Sequence, residues 1–247
     1  MKSLSFILLC AGKGSRMGTK VPKVLNHFLG KEMVVHIFEV VRKLTPEEIV
    51  LVVPEDYKMF EILFGDQVTY CVQKKPLGTG DAVLQALKVL DRPNGSSKDV
   101  IVINGDMPNI NYKVIQNLYI KHINEFNSMT ITTSFVKEAF GYGRILRNIN
   151  GQIEEIVEQN DLNYEQAKIN EINAGLYAFN FDWIKNHILL INSQEFGEYQ
   201  LTQLVKLAFL NQFKVGNVET DERIIAGVNT LGELKKLEQL ISGVYIE

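Results

Sequence analysis

The 247-residue sequence is poor in residues that staple a fold or bind metal, with two cysteines, four histidines, six prolines and one tryptophan. Cys10 and Cys71 lie in apolar runs without a Cys-x-x-Cys spacing, so we expect reduced thiols in the core. The histidines also lack metal-ligand spacing. No apolar run reaches the roughly 20 residues of a membrane span, and the apolar stretch near the start has no signal-peptide cleavage site. These absences predict a cytoplasmic protein.

Charge of one sign is not in excess either. The sequence has 26 Lys and Arg against 29 Asp and Glu, which gives a net charge of −3, and it has no basic block. This balance argues against a broad nucleic-acid or membrane-surface footprint and leaves room for a local cationic pocket. A globular chain of this length buries roughly 70–75% of its unfolded surface, so it needs no metal or disulfide to fold. Oligomeric state is not indicated.

The first half of the chain alternates β-branched runs with amphipathic segments, which predicts an α/β fold with a mostly parallel sheet flanked by helices. The expected strands are Ser5–Cys10, Ile49–Val53, Val68–Gln73 and Asp99–Asn104. The expected helices are Met33–Lys43, Glu55–Leu63 and Asp81–Leu90. Ligands in such folds bind outside the carboxyl ends of the strands.

After about residue 127 the sequence becomes rich in strands, and Asn148–Gly151 is typical of a hairpin turn. The expected strands are Met129–Val136, Gly143–Asn148, Gln152–Glu158, Asn170–Asn180 and one near Phe213–Val218. The expected helices are Asp182–Ile191, Tyr199–Asn211 and Thr230–Ser242. We predict one domain over 1–247 whose β insertion, within about 128–229, faces a substrate. Hexapeptide repeats are absent, so we expect no β-helix domain.

A glycine-rich run, Ala11–Gly18, follows the first strand and is followed by Pro22-Lys23. The glycines at 12, 14 and 18 let backbone N–H groups turn toward a ligand, and Lys13, Arg16 and Lys23 supply positive charge, a combination that suits a polyphosphate. The run lacks the third glycine of a dinucleotide fingerprint and the Gly-Lys-Ser/Thr of a P-loop. We predict a phosphate-binding loop; the alternative is a glycine turn with surface lysines.

Gln73, followed by Leu77-Gly78-Thr79-Gly80-Asp81, leads from a strand into a helix. A glutamine amide carries both donors and acceptors, and glycines let a planar base approach the backbone. This pattern predicts a nucleobase pocket. The alternative is an ordinary helix start capped by Thr79 or Asp81.

Asp106 follows the most apolar strand, where a carboxylate has little structural purpose. A carboxylate at a strand end near a phosphate loop is a typical Mg²⁺ ligand. The alternative is that Asp106 caps the next turn.

In order and spacing these motifs resemble the sugar-nucleotidyltransferase family, most closely the N-terminal uridyltransferase domains of bifunctional bacterial enzymes that make UDP-N-acetylglucosamine. The resemblance covers nearly the whole chain. Its segments are Leu9–Met17, Pro22–Leu25, Gln73 with Leu77–Gly80, Gly105-Asp106, Gly141–Ile145, Glu171–Gly175 and Gly227–Asn229.

The resemblance implies a Rossmann-like nucleotidyltransferase fold and attack of an acceptor phosphate on the α-phosphorus of a nucleoside triphosphate. About 1–127 would bind the nucleotide, about 128–229 the acceptor, and 230–247 would form a closing helix. The implied roles are as follows: triphosphate binding by Arg16 and Lys23, Mg²⁺ binding by Asp106 and Asn229, base binding by Gln73, Gly78, Thr79 and the backbone of Ala11, Gly12 and Gly14, and acceptor binding by Asn104, Gly143, Glu158, Asn173 and Thr202.

Four positions depart from the family's uridyltransferase pattern, all on the acceptor side. Asn104 and Gln200 replace tyrosines, Asn160 replaces a lysine, and Gln203 replaces an aspartate. The resemblance makes UTP and N-acetylglucosamine-1-phosphate the default substrates. Because of the four departures, the alternative is a cytidylyltransferase that uses another sugar phosphate or a small non-sugar phosphate. A nucleotide-binding regulatory module without catalysis is a second alternative.

Overall fold

The computed structural model describes residues 3–12, 14–18, 21–93, 95–191 and 197–243. Its strands are β1 (Leu4–Leu9), β2 (His27–Phe28), β3 (Lys31–Glu32), β4 (Glu48–Val53), β5 (Thr69–Val72), β6 (Asp99–Asn104), β7 (Met129–Phe135), β8 (Arg144–Arg147), β9 (Ile153–Val157), β10 (Glu171–Asn180) and β11 (Val215–Glu219). Its α-helices are α1 (Met33–Arg42), α2 (Lys58–Phe64), α3 (Thr79–Leu90), α4 (Tyr112–Asn124), α5 (Phe181–His187), α6 (Gln203–Leu210) and α7 (Leu231–Ser242).

Across the described residues, the main sheet has the order β11-β7-β10-β6-β1-β4-β5, with the β8–β9 hairpin branching from β10. Pairs β1–β4, β1–β6, β4–β5 and β7–β11 are parallel, whereas β10 runs antiparallel to β6 and β7. Helices cover both faces. The expected α/β fold with a mostly parallel sheet flanked by helices is confirmed, and the β8–β9 hairpin lies within the predicted insertion.

Both faces of β1 are buried, which explains why its sequence is continuously apolar. Phe6 and Leu8 pack into a core with α1, α2 and α4, whereas Ile7 packs into a second core with α3, α5 and α6. Cys10 and Cys71 are buried free thiols, as expected. No helix of the described residues is long and apolar enough to cross a membrane.

Several predicted boundaries are wrong. The helix expected at Glu55–Leu63 begins at Lys58, and the strand near Phe213–Val218 is Val215–Glu219. Helix α4 was not predicted at all, although Asn111 caps it by accepting a hydrogen bond from the Val114 N–H at 3.1 Å. The helix expected from Tyr199 begins only at Gln203, because the preceding residues pack their backbone against a distant loop, as described below.

Candidate active site

The glycine-rich loop packs directly against Lys23. Gly14 and Gly18 both have left-handed backbone conformations, with φ of +59° and +65°. A Cβ atom on Gly14 would lie 2.5 Å from the Cβ of Lys23, so only glycine allows this approach. The loop therefore helps to hold Lys23 against the strand ends. Lys13, which was expected to add charge here, lies outside the described residues.

Four residues predicted to bind phosphate or metal lie in one cluster. The Lys23 ammonium forms an ion pair with Asp106 and donates to the Asn229 Oδ1 at 3.0 Å. The exposed Arg16 guanidinium donates to the same oxygen at 3.1 Å. The cluster lies at the carboxyl ends of β1 and β6, where ligands of such sheets bind, and it carries both positive and negative charge. These features suit a polyphosphate with its counter-ion.

Backbone hydrogen bonds fix the positions of Asp106 and Asn229, the two residues expected to bind the metal, relative to each other. The Gly105 N–H donates to the Leu9 carbonyl at 3.0 Å, which joins the ends of β6 and β1. The Val228 N–H donates to the Asp106 carbonyl at 2.9 Å, which brings the loop before α7 to this strand end. The Gly227 backbone also interacts with the Tyr142 hydroxyl, whose pKa burial raises and this backbone lowers. The Asn229 loop is thus fixed at the ends of β1 and β6.

The residues present fit a hexacoordinate hard cation bound jointly with substrate. The carboxylate of Asp106 and the amide oxygen of Asn229 converge on the Lys23 ammonium, so a positive charge is already accommodated between them. Within the described ranges no group of three or more His, Cys, Asp or Glu side chains could cage a metal. Mg²⁺ typically takes one or two protein oxygens and completes its shell with phosphates and waters.

A pocket of about 310 Å³ lies beside this cluster. Eight residues with expected roles line it, namely Ala11, Gly12, Lys23, Gln73, Gly78, Thr79, Asn104 and Asp106. Pro76 and Glu198 also line it, and neither was predicted. The pocket joins the phosphate-binding loop to the segment expected to hold the base.

Gln73 has a fixed amide orientation. Its Nε2 donates to the Gly78 carbonyl at 3.1 Å and to the Asp81 carboxylate at 2.7 Å. Both partners only accept, so the amide cannot be flipped, and among the described residues Oε1 has no partner. Gln73 therefore offers an acceptor to a ligand. The alternative of a side-chain cap is wrong, because Gly78 is the N-cap residue of α3 and neither Thr79 nor Asp81 caps it.

The glycines of this segment make room for protein backbone. A Cβ on Gly78, which has φ of +115°, would lie 2.5 Å from the Tyr199 carbonyl oxygen, and one on Gly80 would lie 2.8 Å from it. The Gly80 N–H donates to that carbonyl at 2.6 Å. The sequence suggested that these glycines admit a planar base. The structure adds a second reason, which is the close approach of the Tyr199 backbone.

The residues expected to face the acceptor form a second cluster. The Thr202 hydroxyl donates to Glu158 at 2.9 Å. A Cβ on Gly143 would lie 3.3 Å from the other Glu158 oxygen, and the Asn173 N–H donates to the Gly143 carbonyl at 2.9 Å. Burial raises the pKa of Glu158, and the nearby carboxylates of Asp161 and Glu198 raise it further. The cluster is rich in acceptors for sugar hydroxyls.

Asn104 connects the two clusters. It lines the pocket beside Asp106, and a Cβ on Gly175 in β10 would lie 2.2 Å from its amide nitrogen. Asn173 holds β10 here, because its amide donates to the Tyr177 hydroxyl at 2.7 Å and accepts from the Gly175 N–H at 3.3 Å. Burial raises the pKa of Tyr177, so this hydroxyl is neutral.

Sequence reasoning missed the residues that hold the Gly141–Gly143 turn. The buried Arg144 donates to the Tyr142 carbonyl and, at 3.2 Å, to the Gln159 amide oxygen, which also accepts from the Gly141 N–H at 2.8 Å. Burial lowers the pKa of Arg144. Arg144 directly follows this glycine turn in the sequence, and its position could have indicated that it holds the turn.

Comparison with known proteins agrees with this geometry. The model of the MobA-like NTP transferase domain matches residues 6–137. The chain is 37% identical over 237 residues to the bifunctional protein GlmU of Clostridium perfringens strain SM101, which covers 95% of this chain and 51% of that protein. It is 36% identical over 239 residues to the GlmU of Clostridium novyi strain NT, which covers 96% and 52%. The chain thus spans about half the length of these curated relatives.

A provisionally assigned glucose-1-phosphate thymidylyltransferase from Bacillus anthracis, solved in complex with a sucrose, has the same fold, with a TM-score of 0.76 at 19% identity. The alignment covers 99% of this chain and 97% of that one. Fold and site together define a nucleotidyltransferase. The chain belongs to the family of MobA-like NTP transferase domains, and the expected resemblance to the N-terminal domain of bifunctional bacterial nucleotidyltransferases is confirmed by its similarity to the GlmU proteins.

Proposed function

We propose that the chain is a Mg²⁺-dependent nucleotidyltransferase that transfers a nucleoside monophosphate, from UTP by default, to a phosphorylated acceptor such as N-acetylglucosamine-1-phosphate. One observation carries the proposal. Arg16, Lys23, Asp106 and Asn229 meet beside a pocket whose far end presents the Gln73 acceptor, so a triphosphate and its base each have a partner. We assign the triphosphate to Arg16 and Lys23, and the metal to Asp106 and Asn229. We assign the base to Gln73, Gly78, Thr79 and the backbone of Ala11, Gly12 and Gly14, and the acceptor to Asn104, Gly143, Glu158, Asn173 and Thr202.

An oxygen of the acceptor phosphate attacks the α-phosphorus, a new P–O bond forms, and the bond to the β-phosphate oxygen breaks to release pyrophosphate. The acceptor oxygen is already anionic at neutral pH, so no general base is required. Lys23 and Arg16 hold the triphosphate and offset the negative charge that gathers around the α-phosphorus. Bound Mg²⁺, held by Asp106 and Asn229, supplies further charge neutralisation at the phosphates. Glu158, Thr202 and Asn173 orient the acceptor.

A cytidylyltransferase is the second candidate, and the Gln73 geometry keeps it open. With Nε2 committed to Gly78 and Asp81, Oε1 can accept from the ring N–H of uracil or from the exocyclic amine of cytosine. The departures at Asn104, Asn160 and Gln200 also leave the acceptor unassigned. A regulatory module without catalysis is disfavoured by the complete cluster around Lys23.

The deciding experiment measures pyrophosphate release for UTP and CTP against a panel of sugar phosphates and small non-sugar phosphates, with and without Mg²⁺. Release that requires UTP, Mg²⁺ and a sugar 1-phosphate supports the leading proposal. Release with CTP alone supports the second candidate. Nucleotide binding without release from any pair would contradict both and favour the regulatory module. The control is Asp66→Ala, an exposed carboxylate at the opposite edge of the sheet.

A further inference from the structure

Residues Tyr199–Thr202, which we call the strap, form a continuous chain of contacts from the nucleobase segment to the acceptor carboxylate. The Tyr199 N–H donates to the Leu77 carbonyl at 2.8 Å, and the Tyr199 carbonyl accepts from the Gly80 N–H at 2.6 Å. The strap thus pairs with the loop before α3 as one strand pairs with another. Only glycines at 78 and 80 allow this approach.

The next contact uses a side chain. The Leu201 N–H donates to the Thr79 hydroxyl at 3.0 Å, across 122 positions of sequence. Thr79 is exposed and lines the pocket, whereas Leu201 is buried in the core between the sheet and α6. The Thr79 hydroxyl therefore joins an exposed residue of the pocket to the backbone of a residue whose side chain lies in the core.

The last contact reaches the acceptor cluster. Thr202, which is buried next to Leu201, donates to Glu158 at 2.9 Å, and Gln200 donates to Asp161 at 3.2 Å. Glu198, immediately before the strap, lines the nucleotide pocket. The strap therefore contacts a base-binding loop through one end and an acceptor-binding carboxylate through the other.

We propose that a base bound at Gln73–Gly80 orders the acceptor site through the strap, and that the Thr79 hydroxyl is the positioning group that links the two. Thr79 was expected to contact the nucleotide, but its hydroxyl is directed to Leu201. The inference rests on the proposed function, since it assumes that the pocket takes a nucleotide. Binding of the two substrates is then coupled, and by linkage each tightens the other.

The test uses Thr79→Val, which removes the hydroxyl at nearly constant shape, and Thr79→Ser, which keeps it. Calorimetry measures UTP affinity. Hydrogen–deuterium exchange follows the backbone amides of Tyr199–Thr202 with and without UTP. Initial rates give the KM for N-acetylglucosamine-1-phosphate, or for the acceptor that the wild type prefers. In the wild type and Thr79→Ser, UTP should slow exchange in the strap. In Thr79→Val, UTP affinity should fall by a smaller factor than the acceptor KM rises, protection should be lost, and acceptor KM should rise about fivefold, the effect of one hydrogen bond.

Three results would overturn the inference: UTP affinity falling as much as acceptor affinity in Thr79→Val, equal protection of the strap in that variant, or loss of protection in Thr79→Ser. If Thr79→Val does not fold, Thr79→Ala replaces it with the same expectations. Thr202→Val breaks only the acceptor end, so it should raise acceptor KM while UTP still protects Leu201. Wild-type protein that binds neither UTP nor CTP would contradict the proposed function, whereas UTP binding without protection of the strap would contradict the coupling alone.

Discussion

The ammonium nitrogen of Lys23 lies 3.0 Å from Oδ1 of Asn229, a residue 206 positions later in the chain. The same ammonium pairs with Asp106, so Lys23 takes the place between the two oxygens that a metal ion would need. If Asp106 and Asn229 bind Mg²⁺ as proposed, Lys23 would have to move away from them, toward the triphosphate, for the ion to enter. Lys23 would then have a role both in metal binding and in transfer.

Substitution of Lys23 should separate these roles. We expect Lys23→Ala to lower the single-turnover rate by about 10²-fold or more, as for other charge-stabilising groups, and to weaken UTP binding far less, because its charge acts mainly where negative charge gathers. Arg16→Ala should weaken both. Equal losses in rate and affinity for Lys23→Ala would contradict the distinction.

Lys23→Ala also has a readout that does not depend on activity. Without the competing ammonium, Asp106 and Asn229 should bind Mn²⁺ more tightly in the nucleotide-free protein, which electron paramagnetic resonance of free Mn²⁺ measures. Lys168→Ala, which removes an exposed lysine paired with Glu165, is the matched control and should leave Mn²⁺ affinity unchanged. Weaker Mn²⁺ binding by Lys23→Ala would place the metal elsewhere.

The metal ligands themselves should be essential. We expect Asp106→Ala and Asn229→Ala each to lower turnover by about 10²–10³-fold, because each side chain would hold the Mg²⁺ whose charge stabilises the phosphates in the transition state by several kcal/mol. Unfolding temperature should change little, since both side chains lie at the mouth of the site. Near wild-type pyrophosphate release by either variant in Mg²⁺ would show that its assignment is wrong.

Sequence patterns predicted the strand ends well, because a buried parallel strand is a continuous apolar run and the polar residue after it stands out. The position of Asp106 just after the end of a buried strand could be predicted for this reason. The contact of Tyr199 with Gly78 and Gly80 could not, because it joins segments about 120 residues apart and leaves no periodicity. The same contact explains why the helix expected from Tyr199 starts later, at Gln203. The orientation of the Gln73 amide could not be predicted either, because it depends on the hydrogen bonds that Nε2 donates to Gly78 and Asp81.

Tyr142 should support the metal-binding loop through its hydroxyl. Tyr142→Phe keeps the ring packed against the core but removes the hydroxyl that interacts with the Gly227 backbone, so the loop that carries Asn229 should be less well fixed. We expect about a threefold to tenfold weaker Mn²⁺ affinity in the presence of UTP, in line with the loss of one polar interaction. Tyr164→Phe, at an exposed tyrosine beside Lys168, is the control. Unchanged Mn²⁺ affinity in Tyr142→Phe would remove this role.

Glu158 should make the protein less stable as pH rises. Burial raises its pKa above the ordinary value of 4.5, so the folded state binds a proton more tightly than the unfolded state. Between the two pKa values the free energy of unfolding must then fall with increasing pH. Glu158→Gln removes the titrating group, so this dependence of the unfolding free energy on pH should disappear in the variant. A wild-type slope that persists in the variant would assign it to another group.

The same variant tests the acceptor role. A carboxylate that accepts from a hydroxyl contributes about 1.5–3 kcal/mol, so Glu158→Gln should raise acceptor KM by about tenfold or more while UTP affinity is kept. The amide oxygen can still accept from Thr202, which isolates the effect of charge. An unchanged acceptor KM in this variant would show that Glu158 does not contact the acceptor.

The acceptor is the point on which the chain departs most from the uridyltransferase pattern. Gln200 is tied to Asp161, Asn160 is exposed, and Asn104 packs against Gly175. Relative to the uridyltransferase pattern, the proposed acceptor site lacks one cation and two aromatic rings. Each polar group of the acceptor left unpaired costs about 1–3 kcal/mol. We expect a catalytic efficiency with N-acetylglucosamine-1-phosphate below about 10⁴ M⁻¹s⁻¹ at saturating UTP or CTP.

Restoring the family residues sharpens this prediction. The double variant Asn160→Lys, Gln200→Tyr should raise the efficiency with N-acetylglucosamine-1-phosphate and lower it with the preferred acceptor, because the amides that suit the latter are removed. Asn150→Lys, in the exposed hairpin turn, controls for the added charge and should change neither value. A wild-type efficiency of about 10⁵ M⁻¹s⁻¹ or above, unaffected by the double variant, would make N-acetylglucosamine-1-phosphate the natural acceptor, since the altered positions would then contribute nothing to its recognition.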